Sequence, residues 1–208
     1  MLTFAVVVIG SYLLGSIPFG YLAGRIAGID IRKCGSCNVG ATNVIRALGK
    51  VYGYPVFAAD FLKGFGAVKL SLLIATRVQS EWNSPEIFGI LAAISSVIGH
   101  SFPIWLRFKG GKGVATSAGA LFGLAPIAAL LGAAIWMLTF WFTRYVSVAS
   151  IAAAAALPFS ILITTWLSRT AGKSLFYLSA CLAAVVIWRH RSNLSRLMRG
   201  TEPRFTRK

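Results

Sequence analysis

The chain has 208 residues, 57% of them hydrophobic, with 21 Lys and Arg against five Asp and Glu. A mean hydropathy of +0.74 excludes an ordinary soluble domain. The formal charge of +16 points to cytoplasmic loops beside anionic lipid and, since it exceeds what membrane retention needs, to an anionic ligand; nucleic acid is not expected.

Apolar blocks fall at about 2–23, 52–76, 85–106, 114–142, 146–167 and 174–188. Runs of this kind are transmembrane candidates, because about 20 residues cross the hydrocarbon core. No signal-peptide cleavage pattern follows the first block, which is read as a span. The expectation is one all-α, polytopic membrane domain over 1–208.

The fourth block carries Gly123 and Pro126 near its middle. It is either one tilted helix or a short helix followed by a full one. Charge decides. With six crossings the basic residues divide between both faces. With seven, Arg25, Arg32, Lys33, Arg46, Lys50, Arg107, Lys109, Lys112, Arg144 and the tail residues Arg189, Arg191, Arg196, Arg199, Arg204, Arg207 and Lys208 share one side. The other side keeps Arg77, Arg169 and Lys173. The positive-inside rule therefore favours about seven helices, with the N-terminus outside and the C-terminus cytoplasmic. The piece at 114–124 is too short to span alone and reads as a half-helix opening on a polar cavity.

Three polar stretches fall on the cytoplasmic side. The first holds Ser36, Cys37, Asn38, Val39, Gly40, Ala41, Thr42 and Asn43, then Arg46. Its hydroxyls, amides and glycine suit an oxyanion, although the same residues form ordinary turns, and Asn43 is a candidate helix cap. The second is Gly110-Gly111-Lys112-Gly113. Glycines leave backbone N–H groups unshielded and permit positive φ, and a cation at a helix N-terminus completes a phosphate cradle. It is not the soluble nucleotide loop, since Gly113 stands where Ser or Thr belongs. The third holds His190, Asn193 and Arg196 at i, i+3 and i+6, on one face if the last helix continues. His190 reads as a general base or as a neutral hydrogen-bonding residue, with no orienting partner nearby in sequence.

Asp60 and Lys63, spaced i, i+3 inside the second block, read as a buried pair, and His100 as a structural histidine beside the glycine loop. The C-x-x-C of Cys34 and Cys37 lacks a second ligand pair, so no metal is expected. No G-x-S-x-G elbow is present, and neither histidine begins an H-x-x-x-x-D arrangement of the kind used by acyltransferases with thioester donors, since Trp105 and Ser195 stand at the acid's position. Phosphate-type motifs without a nucleophile–base pair suggest substrates that bring their own activation, such as an acyl phosphate.

The stretches SCNVGATNVIR, GHSFPIWLRFKGGKGVAT and RHRSNLSRLMRGTE resemble, in order and spacing, the three signature motifs of the bacterial acyl-phosphate:glycerol-3-phosphate acyltransferases. Asp60-x-x-Lys63-Gly64 and the run from Thr143 to Ser147 are similar too, while Cys37 stands where a small residue such as glycine is expected. The resemblance implies seven transmembrane helices in the bacterial inner membrane and a cytoplasmic active site. It implies acyl transfer from acyl phosphate to the sn-1 hydroxyl of glycerol 3-phosphate, yielding lysophosphatidic acid and inorganic phosphate. No cofactor, coenzyme A or acyl-carrier protein is implied, and the enzyme that supplies acyl phosphate is an expected partner.

On this reading Ser36, Asn38, Gly40, Thr42 and Ser147 hold the acyl-phosphate headgroup. Arg46, Lys112, Asn193 and Arg196 bind glycerol 3-phosphate, Gly110, Gly111 and Gly113 supply phosphate-loop backbone, and Ser36, Lys112 and His190 are the catalytic candidates. The alternative from another class is an organophosphate anion transporter, which also needs a basic cavity and broken helices.

Overall fold

The computed structural model describes residues 2–77, 84–168 and 172–205, and the described residues form helices and loops without a strand. In chain order the α-helices are α1 (Leu2–Ser16), α2 (Phe19–Ile26), α3 (Ala41–Leu48), α4 (Lys50–Arg77), α5 (Pro85–Ser101), α6 (Val114–Leu124), α7 (Pro126–Thr143), α8 (Val146–Ser168), α9 (Lys173–Arg189) and α10 (Arg191–Met198). Four segments among the described residues are long and apolar enough to cross a membrane: Leu2–Ile26, Pro85–Leu106, Pro126–Thr143 and Val146–Leu167. Helix α4, at 28 residues, has the length but carries Asp60 and Lys63 within it. Arg169, Arg207 and Lys208, which entered the charge argument, lie outside the described residues.

The fourth apolar block is two helices. Helix α6 stops at Leu124, and Pro126 opens α7 at a position where a missing N–H costs nothing. The same point divides the chain into two compact units, Met1–Leu124 and Ala125–Lys208.

In the first unit α4 packs against α1, α5 and α6. Glycines set the closeness of these crossings. A Cβ on Gly64 would strike the carbonyl of Thr116, and one on Gly119 the carbonyl of Phe61, so α4 and α6 touch backbone to backbone. Gly15 and Gly99 do the same for α1 and α5. In lipid the hydrophobic effect between helices is absent, and close van der Waals packing through small residues takes its place.

In the second unit α7 packs on α8 and α8 on α9. Few α7 side chains are buried, whereas Leu130, Met137, Leu138, Trp141 and Phe142 are exposed. A face this apolar matches a hydrocarbon solvent. Beyond α10 the chain returns to the α7–α8 turn: Phe205 N–H donates to the carbonyl of Arg144, and its ring meets Phe140 edge-on at 5.8 Å.

Candidate active site

The Ser36–Gly40 loop is built around one buried amide. Asn43 is 1% exposed. Its Oδ1 accepts from the N–H of Ser36 at 2.8 Å, and its Nδ2 lies within 3.2 Å of the carbonyls of Ile31, Cys34 and Asn38. The anticipated capping role is therefore not what it performs: α3 is capped by Gly40 without a side chain, and Asn43 reaches back from the first turn to hold the loop. Asn38 Oδ1 accepts from the N–H of Gly40 at 2.9 Å. With its oxygen used, Asn38 retains its amide N–H groups as donors for a ligand. Cys37 takes φ +57°, the left-handed conformation that favours glycine. The C-x-x-C pair is a turn, closed by Cys37 N–H to the carbonyl of Cys34, and both thiols are free. Ser36, Thr42 and Arg46 lie half-buried on this loop and on α3.

The Gly110–Gly113 turn differs from expectation in an instructive way. Only Gly113 has positive φ, at +84°. Gly110 and Gly111 are glycines because the turn lies against the end of α5: a Cβ on Gly110 would strike the carbonyl of His100, and one on Gly111 the His100 ring. Their N–H groups donate to the carbonyls of Ser101 and His100, both at 3.1 Å. Those two amides are thus spent on capping the C-terminus of α5, rather than presented to an anion as expected. The backbone donors suited to an anion are the opening amides of α6, which have no acceptor within the helix. A Cβ on Gly113 would come within 3.8 Å of the hydroxyls of Ser101 and Ser117. Among the described residues those two hydroxyls and that of Thr116 are buried without a protein hydrogen-bond partner. Lys112 is half-buried between two buried glycines. Val39 of the first loop and His100 and Pro103 beside the second line one cavity of about 10 Å³, so the two motifs adjoin.

In the second unit the basic tail gathers on one acid. Helix α9 ends at Arg189 and α10 begins at Arg191, so the helix does not continue through His190 as supposed. Asn193 and Arg196 still share a face of α10. Gly200, at φ +69°, closes α10: its N–H donates to Leu197 and that of Thr201 to Arg196. This left-handed stop turns the chain back. Glu202 is thereby returned to α10. Its Oε1 accepts from Asn193 Nδ2 at 2.7 Å and from Ser147 Oγ at 2.9 Å, and its Oε2 accepts from Arg196 Nε at 2.8 Å. Burial pushes the Glu202 carboxyl up, but the hydrogen bonds from Asn193, Ser147 and Arg196 outweigh it, and the net direction is down. Glu202 is a carboxylate at neutral pH.

Sequence reasoning passed over Glu202. The available signal was an acid in a tail otherwise crowded with arginine. Ser147 has one proton to give and directs it to Glu202, so it offers a ligand its lone pairs. Arg196 keeps its terminal nitrogens. His190 is buried, and its Nδ1 lies 2.7 Å from the carbonyl of Val186. A carbonyl only accepts, so Nδ1 carries the proton, and a neutral ring has its lone pair on Nε2. The orienter missing from the neighbouring side chains is a backbone carbonyl one helical turn earlier. Among the described residues no three His, Cys, Asp or Glu side chains come together as a metal-ligating set.

The described residues, all helix and loop with four segments long and apolar enough to cross a membrane, define the class as an all-helical membrane protein. Residues 5–200 match the glycerol-3-phosphate acyltransferase family. A glycerol-3-phosphate acyltransferase of Desulforamulus reducens is 43% identical over 203 residues, covering 97% of this chain and 94% of its own. One of Aquifex aeolicus is 41% identical, covering 95% and 97%. A crystal structure of PlsY (YgiH), an integral membrane glycerol 3-phosphate acyltransferase in its glycerol 3-phosphate form, superposes with a TM-score of 0.84 at 39% identity, over 98% of this chain and 96% of that one. The same protein's lysophosphatidic acid form superposes at 0.81. The chain belongs to the glycerol-3-phosphate acyltransferase family.

Proposed function

We propose that the chain transfers a fatty acyl group from acyl phosphate to the sn-1 hydroxyl of glycerol 3-phosphate, releasing lysophosphatidic acid and inorganic phosphate. Family membership supports the acceptor and the reaction class. The observation that carries the chemistry is the Gly110–Gly113 turn, with Lys112 leading into α6 inside an apolar chain.

Lys112 and the opening amides of α6, with Arg46, Asn193 and Arg196, bind the phosphate of glycerol 3-phosphate. Glu202 orders Asn193 and Arg196 for that task. Ser36, Asn38, Gly40 and Thr42 hold the acyl-phosphate headgroup, Ser147 joins them by turning to the headgroup the proton it otherwise gives Glu202, and the amide N–H groups of Asn38 polarise the acyl carbonyl. The glycerol hydroxyl oxygen attacks the acyl carbon, and the bond from that carbon to the phosphate oxygen breaks. The hydroxyl proton passes either to His190 Nε2 or to an oxygen of the departing phosphate. Phosphate is a good leaving group and needs no strong acid.

The proposed topology has seven crossings, with the N-terminus outside and the three motifs at the cytoplasmic face of the inner membrane. Sixteen of the 21 basic residues then share that face, which supports it.

The test is reconstitution in lipid vesicles with acyl phosphate and labelled glycerol 3-phosphate. Lysophosphatidate and free phosphate are expected in equal amounts, while uptake of label without acylation would favour a transporter. Lys112→Ala and Arg46→Ala should raise the KM for glycerol 3-phosphate or abolish activity in a folded protein. His190→Ala should lower kcat about 100-fold or more if the ring takes the proton. A fall of only a few-fold assigns the proton to phosphate.

A further inference from the structure

The end of α5 is tied to the middle of α4 by a buried cluster with no part in the chemistry above. Lys63 Nζ lies 2.8 Å from Asp60 Oδ1, and the same oxygen lies 3.4 Å from His100 Nδ1. Lys63 also donates to the carbonyl of Ile17 at 2.9 Å, in the break between α1 and α2. Asp60, Lys63 and His100 are 2%, 4% and 7% exposed. Charges so far from water persist only if each satisfies the other, and that makes their geometry stiff. The cavity they line, about 10 Å³, has room for about one water.

The far side of the imidazole meets the phosphate-type turn. The His100 ring occupies the place where Gly111 would carry a Cβ, and the carbonyls of His100 and Ser101 accept from Gly111 and Gly110. One residue therefore grips the turn twice, by its ring and by its backbone. On its other side the ring faces Asp60 of α4, with Nδ1 3.4 Å from Oδ1.

We infer that His100, held by Asp60 and Lys63, is a positioning residue for the Gly110–Gly113 turn and thereby sets the affinity for the phosphate of glycerol 3-phosphate. This rests on the reading of the turn as the site for that phosphate. The chain of contacts runs from the α1–α2 break through Lys63, Asp60 and His100 to Gly111, and its output is the direction of Lys112 and the first turn of α6. Hydrogen bonds to a phosphate weaken steeply once they are lengthened or bent. Losing the grip therefore weakens phosphate binding without removing a group that reacts.

The experiment measures KM for both substrates, with kcat, in reconstituted full-length protein. His100→Ala and the charge-balanced double variant Asp60→Asn/Lys63→Gln should each raise the KM for glycerol 3-phosphate about tenfold or more, with the acyl-phosphate KM changed less than about twofold. Combining all three changes should raise KM no further than the larger single effect, because both act through one contact. Where His100→Ala fails to give a monodisperse protein, His100→Gln keeps the volume and an amide donor but not the ring face, and a smaller rise is expected. A folded His100 variant with wild-type KM, a loss confined to kcat, or effects that multiply would overturn the inference. Lys112→Ala run in parallel separates the two readings. If it raises KM while His100 variants do not, the inference alone fails. If it leaves KM unchanged, the turn is not the phosphate site and both fail.

Discussion

The Nε of Arg196 donates to Oε2 of Glu202 at 2.8 Å, six residues further along a chain that has reversed direction. The pair is more than a neutralised charge. The other carboxylate oxygen binds Asn193 and Ser147, so one acid orders three polar side chains from α10 and the start of α8.

Glu202→Gln should reduce activity at least tenfold and lower stability by about 2 kcal/mol, since one side of a neutral amide confronts the donors of Asn193 and Ser147 or of Arg196. The pH dependence follows from the lowered pKa of Glu202. A carboxyl whose folded pKa lies below its unfolded value contributes stability above the unfolded pKa, about 4.5, and loses it as pH falls through the folded pKa. In detergent, the melting temperature of the wild type should therefore fall more steeply below about pH 4.5 than that of the Gln variant. Parallel curves would remove Glu202 from this role.

Asn43→Ala should cost about 3 kcal/mol or more, because the N–H of Ser36 and the carbonyls of Ile31, Cys34 and Asn38 lose their shared partner. Asn43→Asp should be no milder, since it sets a carboxylate against three carbonyls. Thermal unfolding and an activity assay check this, and wild-type values for either variant would contradict it.

Cys37→Gly should stabilise the protein slightly. The left-handed conformation at φ +57° costs a non-glycine residue about 1 kcal/mol, part of which the added freedom of unfolded glycine offsets. A rise of about 1–3 °C in melting temperature is expected. Cys37→Val, branched at Cβ, should lower it, and a drop for the glycine variant would contradict the strain.

Gly119→Ala should destabilise by about 1–3 kcal/mol, as its methyl group meets the Phe61 carbonyl and separates α4 from α6. Gly10→Ala is the matched control: nothing lies within 4 Å of its Cβ, so it should be neutral or stabilising. Equal melting temperatures for the two variants would argue against close α4–α6 packing.

Hydropathy alone was enough to read an all-helical membrane chain, because crossing lipid forces backbone polar groups to pair within a helix. The Gly123–Pro126 signal likewise located the end of α6 and the start of α7, since proline punctuates helices locally. Asn43 and Glu202 were not legible as organisers. Their partners are backbone groups and side chains whose proximity depends on turns at Gly200 and through Ile31–Lys33. A sequence displays donors and acceptors but not which are already used.

The glycine turn shows the division most clearly. Residue types alone determined that three glycines and a lysine before a helix suit an anion, because unshielded amides and a cation do so in any fold. Only the tertiary structure decided that the amides of Gly110 and Gly111 close the end of α5, and that Gly111 exists to admit the His100 ring. That contact lies between segments about ten residues apart, and its far support, Asp60, is on another helix. Such an assignment follows from packing, where each buried polar group takes the partner it can reach.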